Sequence, residues 1–219
     1  MAAATNLCSP VFHSAYMKLI ARIGLCAAIS LCAGGCQHPG KSFAGQKCYE
    51  AGFRAEEQGD LNLARQYFYQ AYWNAQSSFL GPSSEAYALY EWSRVTGYLG
   101  MHAEAEAGFT NVLTLIDTSA GQAEKLRAPA LCELARLLHD TKQHSRALPI
   151  YERALSELQK LGAPQKDPIG FAEFLDDYAD SLRAGGDHET ADAILKRSAA
   201  IKADNKENLP RFNPRRYKP

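Results

Sequence analysis

His139 and Asp140 are adjacent residues whose side chains could move a proton, because an imidazole beside a carboxylate can act as a general base. Neighbouring residues on a helix point about 100° apart, so these two side chains do not face each other. We therefore expect a solvated helix end and not a catalytic dyad. The sequence also lacks a Gly-rich phosphate loop, HExxH, GxSxG and paired cysteines. We expect no enzyme activity, no cofactor and no metal.

Cys36 is a residue whose flanking sequence indicates a covalent modification. Lys18 and Arg22 precede an apolar run of 13 residues that ends at Gly35. Such a run is shorter than the ~20 residues of a membrane span and is typical of a signal peptide. The ending AGGC resembles a bacterial lipobox, with alanine where leucine is usual. The resemblance implies cleavage before Cys36 and a thioether-linked diacylglycerol on its sulfur.

Two alternatives remain open for residues 1–35, namely secretory cleavage without a lipid and a retained anchor helix. Met17 is a better start than Met1 for a lipoprotein signal, because the charges then lie close to the initiator. Gln37, in place of aspartate, resembles the outer-membrane sorting signal of enteric bacteria. We expect a lipid-anchored protein of the bacterial cell envelope, at the outer membrane on its periplasmic side more than at the inner membrane.

The charge of the chain is balanced overall but uneven along its length. It carries 24 basic and 24 acidic side chains, which predicts no nucleic-acid partner. Residues 36–201 hold 16 basic and 22 acidic groups, whereas residues 202–219 are net basic. The end of the chain, 203–219, has two breaks before proline and no apolar period, so we predict a disordered basic tail. Contact of this tail with acidic lipid or a partner is the alternative.

A repeated helix pair must position any site in the folded part. Residues 130–155 carry two apolar stripes at helical spacing, separated by a polar break at 140–144, which predicts an antiparallel pair. One pair cannot bury both of its faces, so the pattern predicts stacked copies. An alanine marks each copy at intervals of 41 to 44 residues: Ala64, Ala105, Ala147 and Ala191.

Other residue types recur at fixed distances from this alanine in each copy, and we call each such set of equivalent positions a column. An aromatic or large apolar residue follows by four positions, a small residue follows by seven, and another small residue precedes by twelve. Five positions before the alanine stands a glycine, which suits the left-handed residue that closes a helix, and Lys142 is the exception. In chain order the columns are Phe68, Phe109, Tyr151 and Leu195; Ala71, Val112, Ala154 and Ser198; Gly52, Ser93, Ala135 and Ala179; and Gly59, Gly100, Lys142 and Gly186.

This order of positions resembles the tetratricopeptide repeat family, in the longer form of about 42 residues found in kinesin light chains. The resemblance implies an all-α fold, an α-solenoid of four antiparallel helix pairs over residues 47–202, which follows a lipidated cysteine and tether at 36–46. We expect helices at about 43–58 with 61–78, 84–98 with 102–118, 129–141 with 144–160, and 168–184 with 188–202. Asp167 should cap the last pair. Cys48 and Cys132 should remain thiols, because stacked repeats hold them about 20 Å apart.

Tetratricopeptide arrays bind ligands along the first helix of each pair, so the resemblance implies a groove there for a protein or peptide partner. The positions carried over are Tyr49, Phe53, Tyr87, Tyr90, Arg94, Tyr98, Arg136, His139, Asp176, Asp180 and Arg183. For any single tyrosine the alternative is packing against the next repeat. Replacing Tyr90 and Arg94 together should weaken binding without unfolding the array.

The function we expect is that of a non-catalytic adaptor or scaffold, a repeat lipoprotein anchored in the membrane through Cys36. The alternatives are a secreted repeat protein without lipid, and an accessory subunit or regulator of an envelope enzyme.

Overall fold

The computed structural model describes residues 39–77, 81–121, 123–207 and 215–218. Contacts divide the chain into two compact units, 1–36 and 37–219, and all described residues belong to the second. The predictions for residues 1–35 and for Cys36 therefore lie outside the described residues. Within the part that the structure describes, none of the helices combines the length and the apolar character needed to cross a bilayer.

Four antiparallel helix pairs make up the described part of the second unit, as the repeat columns predict. The pairs are α1 (Pro39–Glu57) with α2 (Leu61–Ser77), α3 (Pro82–Tyr98) with α4 (His102–Thr118), α5 (Arg127–Asp140) with α6 (His144–Lys160), and α8 (Pro168–Ala184) with α9 (His188–Asp204). A single turn, α7 (Ala163–Lys166), precedes the fourth pair, and a 3-10 turn at Glu124–Leu126 precedes the third. The all-α solenoid is confirmed.

The turn inside each pair has the same backbone geometry, including the one that lacks glycine. Gly59, Gly100 and Gly186 have φ between 83° and 91°, and Lys142 has φ of 63°. At Lys142 the backbone N–H donates to the carbonyl of His139 at 2.9 Å, which closes the helix as the glycines do. The register of the repeat therefore holds even where the side chain resists this conformation.

The alanine columns are the points where helices touch. Ala64, Ala105, Ala147 and Ala191 are all fully buried. In the first pair the packing is closer still, because a Cβ on Gly52 would lie 2.6 Å from the buried ring of Phe68. In the first three pairs, each second helix packs against the first helices of its own and the following pair.

The first helices form a continuous surface on which a site can be built. Helix α5 contacts both α3 and α8, so side chains from three successive pairs come together. Local signals fix the start of α8, where the carboxylate of Asp167 accepts a hydrogen bond from the N–H of Gly170 at 3.1 Å, as predicted. Cys48 and Cys132 are both free thiols.

Candidate functional site

Residues 215–218, which we call the tail, lie against the first helices without regular secondary structure. Tyr217 is the deepest of the four, with only 2% of its surface exposed. The predicted disorder of 203–219 is therefore wrong for this part, while residues 208–214 lie outside the described residues. The predicted solvated end of α5 is also wrong, because His139 and Asp140 are each 7% exposed. Contacts between residues far apart in the sequence cause both differences, since Asp140 bonds to the tail and His139 lies 3.0 Å from Ser181.

Tyr217 makes four kinds of contact. Its hydroxyl donates to Oε2 of Glu133 at 2.5 Å, and its backbone N–H donates to Oδ2 of Asp140 at 2.8 Å. Its ring lies 5.0 Å from the ring of Tyr98 at an interplanar angle of 31°. The ring also covers Gly97 so closely that a Cβ there would come within 2.5 Å of it. Burial raises the pKa of Tyr217 well above its ordinary value, so the phenol stays neutral and donates.

Arg216 supplies the cation that pairs with Asp140 and Asp177. Its guanidinium donates to Oδ2 of Asp177 at 2.6 Å and also to Asp140, so that it joins α5 to α8. Arg215 lies over the ring of Tyr98 at 5.5 Å. Among the described residues, no other cation forms an ion pair with Asp140. We call Gly97, Tyr98, Glu133, Asp140 and Asp177 the tail site.

A serine and two histidines lie beside the tail site. The hydroxyl of Ser181 is 3.0 Å from Nδ1 of His139 and 3.3 Å from Nδ1 of His144. Nε2 of His139 is 4.0 Å from Asp177, beyond hydrogen-bond range. Ser181 has no exposed surface. This serine is therefore not accessible to a substrate in the structure.

A cavity of about 650 Å³ lies next to the tail, between α3, α5 and α8. Arg216 forms part of its wall, and Phe171, Phe174 and Leu158 supply apolar surface. Arg136 also lines it and binds Glu133 at 2.7 Å, but its Nε has no hydrogen-bond partner among the described residues. Cys132 faces the same cavity, and burial raises the pKa of its thiol to about 12, so it is not a nucleophile.

The aromatic end of the predicted groove is held by its own contacts. Tyr49 and Phe53 pack edge to face on the core ring of Phe68, with centroids 5.8 and 5.1 Å away. Arg94 binds both oxygens of Glu56 and one of Glu91. Burial raises the pKa of Glu91, and the ion pair with Arg94 offsets part of that effect. These side chains stabilise the junction of the first two pairs.

The other predicted groove residues fall into two sets. Tyr90 is 8% exposed and packs on Phe109, whereas Tyr87 is half-buried at the edge of the same core. The combined replacement of Tyr90 and Arg94 would therefore disturb packing, contrary to our expectation. Asp176 binds Lys202 and Arg183 binds Asp192, so both pair with the second helix of their repeat, and Asp180 is exposed.

Of the tail site, sequence reasoning identified only Tyr98. It did not find Gly97, Glu133, Asp140, Asp177 or Tyr217. The available signal was the opposite charge of the basic tail and the acidic body. That signal predicts attraction but does not say where on the body the tail binds.

Comparisons with known proteins agree with this geometry. The family model described as tetratricopeptide repeat matches residues 128–157, which cover most of the third pair. BtubC (BKLC) from P. vanneervenii has a similar structure, with a TM-score of 0.67 and 20% identity over 93% of this chain and 76% of that one. A putative kinesin light chain of Podosopora anserina with nearly identical TPR-like repeats gives 0.60 and 16% identity over 89% and 85%. No curated protein matches the sequence significantly. At these identities the likeness is one of fold.

Proposed function

We propose that the chain is a non-catalytic adaptor of the tetratricopeptide-repeat type, whose first helices bind an extended segment of a partner protein. A lipid on Cys36 anchors it at the bacterial envelope. One observation carries the proposal of segment binding. The tail lies on the first helices without secondary structure and is held by hydrogen bonds and ring stacking. A surface that holds four residues of its own chain in this way has the chemistry to hold a foreign segment.

The residues that make these contacts support a binding role. The tail contributes two arginines and a tyrosine, which are residue types that carry most of the energy at protein interfaces. The adjoining cavity of about 650 Å³ is lined by aromatic rings and charged side chains. A cluster of groups arranged for bond breaking would instead need an accessible nucleophile, which buried Ser181 does not supply.

The anchoring part of the proposal rests on the sequence before residue 37. The charged start, the apolar run and the AGGC ending together fit a lipoprotein signal. Globomycin should make the uncleaved precursor accumulate, and Cys36→Ser should abolish labelling by a radioactive fatty acid. A mature protein that forms normally under globomycin and carries no fatty acid would leave a secreted adaptor without lipid.

Site-specific photocrosslinking in bacterial cells tests the binding role. A crosslinking amino acid at Glu173, which lines the cavity on α8, should give one dominant adduct with a partner protein. The same amino acid at Arg153, on the exposed side of α6, is the matched control. Equal adduct patterns at the two positions, or no adduct at Glu173, would contradict the adaptor proposal.

A further inference from the structure

We infer that the tail site is selective for an extended segment in which tyrosine follows arginine, and that a partner with this pair replaces the chain's own tail. The inference rests on the proposed adaptor function and adds the class of partner. It is argued from the contacts of residues 215–218, which show what the site accepts.

The tyrosine position is selected by one acceptor and by lack of space. Glu133 is 1% exposed, so the hydroxyl of Tyr217 satisfies an oxygen that water hardly reaches. A phenylalanine would fill the same space but leave this oxygen without its donor. The absence of a side chain at Gly97 makes room for the ring, because a Cβ would overlap it. The site therefore requires a flat ring with a donor at its far end.

The arginine position is selected by the arrangement of two carboxylates. Asp140 on α5 and Asp177 on α8 each accept from a different nitrogen of Arg216. A planar guanidinium can donate in two directions at once, whereas the compact ammonium group of lysine acts as a single point of charge. Because Asp140 also accepts from the backbone N–H of Tyr217, the site recognises the arginine and the tyrosine together.

Only one of the four tail residues, Tyr217, is deeply buried, which allows a partner segment to replace the tail. Tyr217 is buried, but half of the Arg216 side chain is exposed, and Arg215 and Lys218 are exposed. Ten residues of sequence separate the tail from the end of α9, so the tail stays tethered to the repeats when it leaves the site. A tethered segment competes at an effective concentration on the millimolar scale, so a partner must bind more tightly than the isolated pair.

The cavity beside the tail supplies the additional affinity that a partner needs. The tail leaves this space of about 650 Å³ unfilled. Lys125, Glu173 and Phe174 line this space and offer charge and apolar surface to a longer segment. A segment that continues beyond its Arg-Tyr pair into the cavity gains contacts that the tail does not make.

Peptide binding to the full-length mature protein tests the inference. The probe is a fluorescent peptide with the sequence of residues 213–219, NPRRYKP, and the measurement is fluorescence anisotropy. Tyr217→Ala removes the anchor of the protein's own tail, so this variant should bind the probe at least about tenfold more tightly than the wild type. A probe carrying Tyr217→Phe or Arg216→Lys should bind about tenfold more weakly than the unchanged probe.

Gly97→Ala added to Tyr217→Ala is the control for the location of the site. The new methyl group should abolish probe binding while the helical circular dichroism stays unchanged, because alanine favours the helix. Equal binding of all three probes would overturn the selectivity. Equal binding to the wild type and to Tyr217→Ala would overturn the exchange. A wild-type dimer in light scattering that Gly97→Ala converts to monomer would identify a second copy as the occupant and would also overturn the inference.

The outcomes separate this inference from the adaptor proposal. If the probe does not bind but Glu173 crosslinks to a partner, the adaptor function stands and its selectivity for the Arg-Tyr pair is wrong. If the probe binds but no partner is captured, the site is real and the adaptor function is wrong.

Discussion

Two groups of charged and aromatic side chains lie along the first helices, and they are completed in different ways. At the aromatic end, Arg94 and its partners Glu56 and Glu91 all belong to the repeats. At the tail site, Asp140 and Asp177 belong to the repeats but the arginine that pairs with them belongs to the tail. The first group is therefore closed within the solenoid, and the second depends on a segment from outside it. This difference indicates that the aromatic end stabilises the repeats and that the tail site binds a segment.

The largest expected effect is on the free energy of unfolding when each arginine is removed. Arg94→Ala leaves two largely buried carboxylates without a cation, so it should lower that free energy by about 3 kcal/mol. Arg216→Ala should lower it less, by about 1 kcal/mol, because its side chain is half exposed and water can take its place at Asp140, whose side chain is 7% exposed with the tail in place. Urea unfolding followed by circular dichroism measures both. Similar losses for the two variants would break the distinction between the groups.

A pair of glycines gives the next test, because a methyl group on either one would overlap an aromatic ring. At Gly52 the ring is Phe68, which is fully buried in the core, so Gly52→Ala should cost about 1–3 kcal/mol. At Gly97 the ring is Tyr217, which can leave with the tail, and the next atom is Cβ of buried Ala105 at 3.3 Å, so Gly97→Ala should lower the unfolding free energy by about 1 kcal/mol at most. Comparable destabilisation by both variants in the same urea experiment would show that the tail is as fixed as the core.

Lowering the pH should change the free energy of unfolding slightly and in opposite directions through a residue of each region, His139 beside the tail site and Glu91 at the aromatic end. Burial lowers the pKa of His139 from its ordinary 6.5, an effect that Arg216 adds to and Asp177 and Asp140 oppose. The folded state thus favours the neutral ring, and stability is full above pH 6.5 and falls as the pH drops below it. Burial raises the pKa of Glu91 from 4.5, so its contribution has the opposite sign and increases as the pH falls towards 4.5.

The measurement is the unfolding free energy at several pH values between 7.5 and 5. Over this range the wild type should lose up to about 1 kcal/mol of unfolding free energy through His139, and the variant His139→Gln should not show this loss. His188→Gln, at an exposed position on α9, is the matched control and should leave the pH dependence unchanged. A pH profile of His139→Gln that follows the wild type would show that burial of this ring does not control the response.

The helices could be predicted closely because their signals are local. The alanine, glycine and aromatic columns lie within one repeat, and the structure places every one of the alanines at a buried contact. Lys142 shows that a position can keep its conformation when the residue type changes, since its φ of 63° is that of the glycines. Asp167 acts through a neighbour three residues away, so its role as a cap was also visible in the sequence.

The tail site could not be predicted, because its contacts join residues far apart in the sequence. Local composition around residue 217 shows proline, charge and no apolar period, which by itself predicts disorder. The partners of Tyr217, at Glu133 and Asp140, lie 84 and 77 residues away and carry no mark that distinguishes them from solvated carboxylates. Only the packing of α3, α5 and α8 creates a place where these groups are close enough to hold one ring.

The tail also acts as a brace between repeats. In a stack where each pair contacts only its neighbours, small rotations at successive junctions add up and set the curvature. Residues 216 and 217 are bonded or stacked to α3, α5 and α8 at once, and so they restrain the junctions between these three pairs. When the tail departs, those junctions can open or tighten around a new occupant, so that capture of a segment at the tail site would change the curvature of the array.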